Sequence, residues 1–204
     1  MTARILLFIK HRIPWLWLCV DWLNARLYAL LHRKRMAIQV ERAFATFTLE
    51  GFEFRPLRRA DLDALADMLK RQDDERLRYF QPHGFDVASL KKVLANPAFL
   101  MFGVVRDGAL VGYFFLRCFW NRKCFVGRLI DEPYERRGIG PVMNKIMYHI
   151  AWWSEFRCFT SISTKNRWIM RAHKKNPHAR FVSDLANDFQ LIEFLPLAEN
   201  DPTE

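Results

Sequence analysis

The sequence predicts an α/β fold: a mixed, mostly antiparallel central sheet with helices on both faces, behind an N-terminal amphipathic helical extension. Three observations predict it. From Phe52 onward the elements read strand, two helices, three strands, helix, strand, helix and closing strands, an order that packs as helices around a mixed sheet. Arg106-Asp107-Gly108 joins two apolar runs, a tight-turn signal for an antiparallel hairpin. Ahead of this lies "IPWLWLCVDWLNARLYALLHRKR", where Leu16, Val20, Leu23, Leu27 and Leu30 recur at intervals of three or four and form an aliphatic helical stripe.

Each element has a local reason. "FEFRPL" alternates as a strand does, and "RRADLDALADMLKRQ" reads as a helix with Asp61 as N-cap. After a Pro/Gly loop, Asp86 caps a second helix that ends at Asn96, before Pro97. "AFLMFGVV", "LVGYFFLRCF" and "KCFVGRLI" are the three central strands. A helix starts at Pro141, since the missing N–H has no intrahelical duty in a first turn, and Val142, Ile146, Ile150 and Trp153 form its buried stripe. "CFTSIST", "KNRWIMRAHKKN", "RFVSDL" and "FQLIEFLPL" complete the domain as strand, helix and two strands. The expected boundaries are an extension over residues 1–36, a linker over 37–51 and a domain over 52–204.

Composition narrows the function. Half the 204 residues are hydrophobic and a quarter charged, which is globular rather than disordered. The 32 Lys and Arg against 22 Asp and Glu give +10, which attracts anions: nucleic acid, anionic lipid or a phosphorylated ligand. No nucleic-acid-binding motif accompanies the charge, so nucleic acid is not expected as a partner. Cys19, Cys118, Cys124 and Cys158 show no CxxC spacing or nearby His cluster, so neither a metal nor a disulfide framework is expected. No convincing secretory signal is present, and a cytoplasmic location is expected.

The stretch that carries chemistry is "IDEPYERRGIGPVMNKIMYHIAWW". Arg136, Arg137, Gly138, Ile139 and Gly140 link a strand to a helix. Backbone N–H groups at such a helix mouth, with glycines that admit a ligand to the main chain, bind anions. Met143 stands where a dinucleotide fingerprint needs its third glycine, and no nucleotide P-loop pattern occurs.

The loop and the order of elements resemble the GNAT family of N-acetyltransferases over about residues 52–197. The family signature is Gln/Arg-x-x-Gly-x-Gly/Ala between the fourth strand and the next helix, and here the matching positions run from Glu135 to Gly140. Glu135 departs from the first position, and Pro141 removes an N–H that follows it. The resemblance implies that Arg136, Arg137, Gly138, Ile139 and Gly140 hold the pyrophosphate of acetyl-CoA. It also implies that the main chain of Leu129, Ile130 and Asp131 pairs with the pantetheine arm. The family often carries an Asn at the end of the fifth strand and a Tyr seven residues on that protonates the leaving thiolate; here these are Asn166 and His173. An imidazolium has the acidity for that task near neutral pH.

The same resemblance implies direct attack of an amine on the thioester. Asp131 and Glu132 stand where a carboxylate accepts the amine's proton, and Tyr79, Phe80 and His83 fall in the loop that walls the acceptor cleft. An aminosugar of a surface-glycan or lipopolysaccharide precursor is one acceptor class that suits aromatic walls. The N-terminal stretch 10–35 admits two readings. Its Trp and Leu content between basic clusters suits an anionic membrane surface, whereas the same helix suits docking on its own domain or on a second copy in a homodimer. Asp21, Asn24 and Arg26 interrupt it too early for a membrane span. A catalytically silent GNAT-like module that recruits membrane or protein partners is the alternative to an enzyme.

Overall fold

The structure, a computed structural model, describes residues 14–197. Two helices come first, α1 (Pro14–Leu31) and α2 (Arg33–Thr46). Strands β1 (Glu53–Pro56), β2 (Phe99–Arg106), β3 (Ala109–Cys118), β4 (Lys123–Ile130), β5 (Arg157–Ser163), β6 (Ala179–Leu185) and β7 (Phe189–Phe194) form one sheet in the order β1-β2-β3-β4-β5-β7-β6. Every neighbouring pair is antiparallel except β4 with β5. Asp107 and Gly108 both take positive φ, 50° and 76°, which is the turn that keeps the twist of the β2–β3 hairpin.

The sheet separates two apolar clusters. On one face α2 and α6 (Ile139–Trp153) pack through Met36, Val40, Met143, Ile146 and Ile150 against Phe102, Phe114 and Val126. On the other, α3 (Leu62–Lys70) and α5 (Val87–Leu94) pack through Leu65, Leu69 and Leu90 against Phe99, Met101 and Tyr113. Alternating side chains along each central strand feed both clusters, so the sheet is buried on both faces.

Several local expectations are corrected. The stretch 37–51, expected as a linker, is helical to Thr46, because Met36, Val40 and Ala43 recur at helical spacing and are buried in the core. Asp61 stands at the N-cap position of α3 without capping it. Its carboxylate accepts both Nη groups of Arg55 at 2.8 Å, and this ion pair holds its pKa below the usual range. Asp86 does cap α5, accepting from Ser89 N at 2.9 Å. A short helix, α4 (Asp74–Leu77), lies where only loop was expected. Helix α6 starts at Ile139, so Pro141 is its third residue, still inside the turn whose N–H groups have no helical acceptor.

Helix α1 docks on the domain by a polar seam. Asn24 donates Nδ2 to Cys118 O and accepts from Trp120 N, both at 3.1 Å. Asp21 meets Asn96 and Arg117 at 3.2 Å each, and Tyr28 is fully buried beside them. The stripe of Val20, Leu23 and Leu30 points outward instead. The side chains of Trp15, Leu16 and Trp17, the basic cluster Lys10, His11 and Arg12, and the domain's last residues, 198–204, lie outside the described residues.

Candidate active site

The site begins where two parallel neighbours part. Strands β4 and β5 are paired only at Lys123↔Arg157, Cys124↔Cys158 and Phe125↔Phe159. Beyond that, β4 follows β3 as far as Ile130↔Gly112 and β5 follows β7 as far as Ser163↔Phe189. The two strands therefore splay, and the facing main-chain groups of β4 lack a strand partner. Asp131 N donates to Val111 O at 2.9 Å. By the alternation of an antiparallel ladder this turns the main chain of Leu129 and Asp131 toward β3, and that of Arg128 and Ile130 into the opening. Of the three residues expected to face it, only Ile130 does.

At the head of the opening a loop feeds α6. Arg136 and Gly138 take φ of 59° and 81°, so successive amides curl toward one point, and Gly138 supplies that left-handed turn without steric cost. Gly138 is the N-cap and offers no side-chain acceptor to the helix's first N–H groups. Those amides, with the positive end of the helix dipole, are open to an anion. Arg136 and Arg137 are exposed at its rim, with the Arg137 guanidinium 5.2 Å from the centre of the Tyr134 ring. The donor set fits a diphosphate even without an N–H from Pro141.

Glu135, the departure from the signature, is accounted for by a residue far away in sequence. Its carboxylate pairs with the Arg76 guanidinium on α4, which draws the negative charge toward α4 and neutralises it. The same Arg76 Nη2 donates to Ile130 O at 2.9 Å. One guanidinium thus ties α4 to the end of β4 and to the anion loop.

Four side chains stand on the elements around the opening. Arg128 projects from β4 toward α6 and donates Nε to Asn144 Oδ1 at 2.8 Å. His173, on α7 (Arg167–Lys174), has a buried Nδ1 without a hydrogen-bond partner, and its ring lies 5.5 Å from that of Phe194. Burial and the nearby Arg128 charge push its pKa down to about 4. The ring is therefore neutral at pH 7, which corrects the expectation of an imidazolium donor; a neutral imidazole still carries one N–H to donate. Tyr148, buried on α6, bonds Asn176 Nδ2 at 3.2 Å. Asn166 is the N-cap of α7, its Oδ1 accepting from Ile169 N at 3.2 Å.

The two acidic candidates differ. Asp131 is buried, and its carboxylate accepts Arg71 Nη2 and Gln72 Nε2, each at 2.6 Å. Burial alone would raise its pKa, but the bonds from Arg71 and Gln72 outweigh burial and hold it below the usual range. A carboxylate so engaged is a poor proton acceptor, which corrects the expectation of Asp131 as base. Glu132 is exposed in the short 3-10 turn after β4.

Around the acceptor loop, His83 Nε2 lies 2.7 Å from Tyr113 Oη and Nδ1 lies 2.9 Å from Gly84 O. Its ring packs on Phe85 and Phe99, so it closes the α3/α5 core. Phe80 packs on Tyr113 and Phe115 beside Gly127 of β4, and Tyr79 is half-buried beside Arg78. Cys118, Cys124 and Cys158 are buried, and burial pushes the Cys118 thiol well up. Among the described residues no group of His, Cys, Asp or Glu is arranged to hold a metal.

Sequence reasoning missed Arg128 and Arg76. Arg128 is two residues before Ile130, hence on the same side of β4, so strand alternation alone was enough to find it. Arg76 had no such signal, because its short helix is fixed by tertiary contacts.

No family model and no curated protein matches this chain. Solved structures do. RimL, a ribosomal alpha-N-protein acetyltransferase, superposes with a TM-score of 0.61 at 13% identity, covering 72% of this chain and 92% of its own. The GNAT domain of PAT from S. lividans gives 0.59 at 12% identity, covering 69% and 88%. PaiA N-acetyltransferase from Thermoplasma acidophilum, in complex with coenzyme A, gives 0.57 at 16% identity, covering 70% and 98%. The chain carries the fold of the GNAT acetyltransferases.

Proposed function

We propose that the protein is an acyl-CoA-dependent N-acyltransferase that moves an acetyl group to an amine by direct attack. The observation that carries this reading is the splay of β4 from β5, leading to an uncapped helix N-terminus with converging amides. The coenzyme supplies an activated thioester. The amides from Gly138 to Gly140 would hold its diphosphate, and the main chain of Arg128 and Ile130, which has no strand partner on that side, would pair with its arm. Ile130 O must first be released by Arg76. His173, as a neutral imidazole, would donate a hydrogen bond toward the departing sulfur. Glu132 is the remaining carboxylate for the amine's proton, since Asp131 is held by Arg71 and Gln72. Support from the fold neighbours is that PaiA was solved with coenzyme A.

The test is acetyl-CoA titration followed by a thiol-release assay over aminosugars, polyamines and peptide N-termini. Coenzyme binding with turnover of at least one amine is expected. Absence of coenzyme binding would contradict the reading.

The outward face of α1 favours a second component. Leu18, Trp22, Leu23, Leu30 and Leu31 are exposed there, with Ile38 of α2. Arg26, Arg33 and Lys34 flank them, exposed and without ion pairs among the described residues. Apolar residues edged by unpaired cations suit an anionic membrane surface; among the described residues no helix is long and apolar enough to cross one. On this reading the enzyme works at the inner face of the membrane on an aminosugar precursor. Flotation on vesicles with and without anionic lipid tests it: Leu23→Glu with Leu30→Glu should abolish binding to anionic vesicles. A dimer lost on the same substitutions, without flotation of the unaltered protein, would assign the face to a second copy instead.

A further inference from the structure

Arg128 spans two elements without meeting a carboxylate or an aromatic ring among the described residues. Several arginines that cross between elements meet carboxylates: Arg71 meets Asp131, Arg76 meets Glu135, and Arg157 and Arg180 share the buried Glu193; Arg42 instead lies over the Trp153 ring. Arg128 makes no ion pair among the described residues. Its one protein hydrogen bond there is from Nε to Asn144, which leaves both Nη groups without a protein acceptor. Surrounding protein lowers its pKa, with Tyr148 and Glu135 acting in the opposite sense, and the residue is exposed to solvent.

The position of the guanidinium is specific. A Cβ built on Gly140 would lie 3.0 Å from Arg128 Nη1 and 3.3 Å from Nη2. Gly140 is the second residue of α6, so the cation rests against the first turn, beside the positive end of the helix dipole. Two positive fields converge there with no carboxylate in ion-pair contact, Glu135 acting only from beyond that distance, and a ligand that brings negative charge relieves this. The absent side chain at Gly140 is what makes room for the guanidinium.

We propose that Arg128 is the side-chain half of the coenzyme's diphosphate site, its Nη groups donating to the oxygens that the amides of Gly138 to Gly140 hold from the other side. Asn144 is its positioning residue and aims the guanidinium through Nε. The proposal rests on the acyltransferase reading and adds to it a charged ligand drawn from β4, outside the glycine loop.

Calorimetric titration of the full chain with three probes tests it: CoA, dephospho-CoA, which keeps the diphosphate, and pantetheine, which has no phosphate. Loss of a charge-assisted bond costs about 10- to 100-fold in affinity. Arg128→Met should lose that much for CoA and dephospho-CoA alike and leave pantetheine unchanged, with Arg128→Lys in between and melting temperatures near that of the unaltered protein. Asn144→Ala should show a smaller loss with the same probe pattern. Unchanged or tighter CoA binding in Arg128→Met would overturn the proposal and mark the side chain as a plug. A loss seen with CoA but not dephospho-CoA, or equally with pantetheine, would also overturn it. If the unaltered protein binds pantetheine but neither phosphorylated probe better, the diphosphate site itself falls. If it binds none of the three, the acyltransferase reading falls and takes this proposal with it.

Discussion

Helix α1 is rich in Leu and Trp and helix α6 in Ile, Met and Trp, yet they turn their apolar stripes in opposite directions. In α6 the apolar stripe faces the sheet: Met143, Ile146, Met147 and Ile150 are buried. In α1 the apolar stripe of Val20, Leu23 and Leu30 faces solvent, while Asn24, Ala25 and Tyr28 are buried. The difference lies in what each helix meets. Helix α6 lies over β3, β4 and β5 and meets chiefly apolar side chains such as Phe114 and Val126. Helix α1 crosses the end of the β3–β4 hairpin, where Cys118 O and Trp120 N need partners, and Asn24 supplies both. Hydrophobic periodicity therefore predicts the inner face only where the surface beneath presents apolar side chains rather than unpaired main-chain groups.

The largest effect should come at the exposed end of α6. Gly138→Asp combines a left-handed backbone, φ 81°, with a carboxylate at the proposed anion site, and should weaken coenzyme binding by more than about 100-fold, read by titration. On α1, Tyr28→Ala should cost about 3–5 kcal/mol in denaturant unfolding, because it empties a fully buried aromatic site. Asn24→Leu should cost about 1–3 kcal/mol despite its greater hydrophobicity, because it strands a carbonyl and an amide. A neutral or stabilising result there would break the contrast between the two helices.

Smaller effects follow. His173 has a folded pKa near 4 against an ordinary 6.5, so below pH 6.5 the unfolded chain takes up a proton that the folded one refuses. Its contribution to stability is level above pH 6.5 and falls as pH drops toward 4. His173→Phe should remove about 1 kcal/mol of the loss between pH 7 and pH 5.5, measured by paired denaturant titrations. Smallest of all, Leu30→Ser on the solvent face of α1 should change stability by less than about 0.5 kcal/mol, since Leu30 is 80% exposed.

Much of the fold was legible because its signals are local. The Asp107–Gly108 turn, the Asp86 cap and the glycine loop each announce themselves within a few residues. The loop's shape was legible too, for converging amides need only glycine and a helix start. What stayed hidden depends on partners distant in sequence. Asp131 and Glu135 read as acids, and only the fold reveals that Arg71, Gln72 and Arg76, about sixty residues earlier, claim them. His173 reads as titratable near neutrality, and only its burial against Phe194 and Arg128 makes it neutral. The larger part of helix α2 falls in the stretch 37–51 expected as a linker, although Met36, Val40 and Ala43 form a complete inner face.

The central claim is that the opening between β4 and β5, headed by α6, receives an acyl-CoA. Amide hydrogen exchange with and without CoA tests it most directly, because the free N–H groups themselves report. Protection should rise over Arg128 and Ile130 on β4 and over Gly138 to Gly140 on the loop, and leave α1 unchanged. Exchange that CoA leaves unaltered at both segments, or protection confined to α1, would contradict the account.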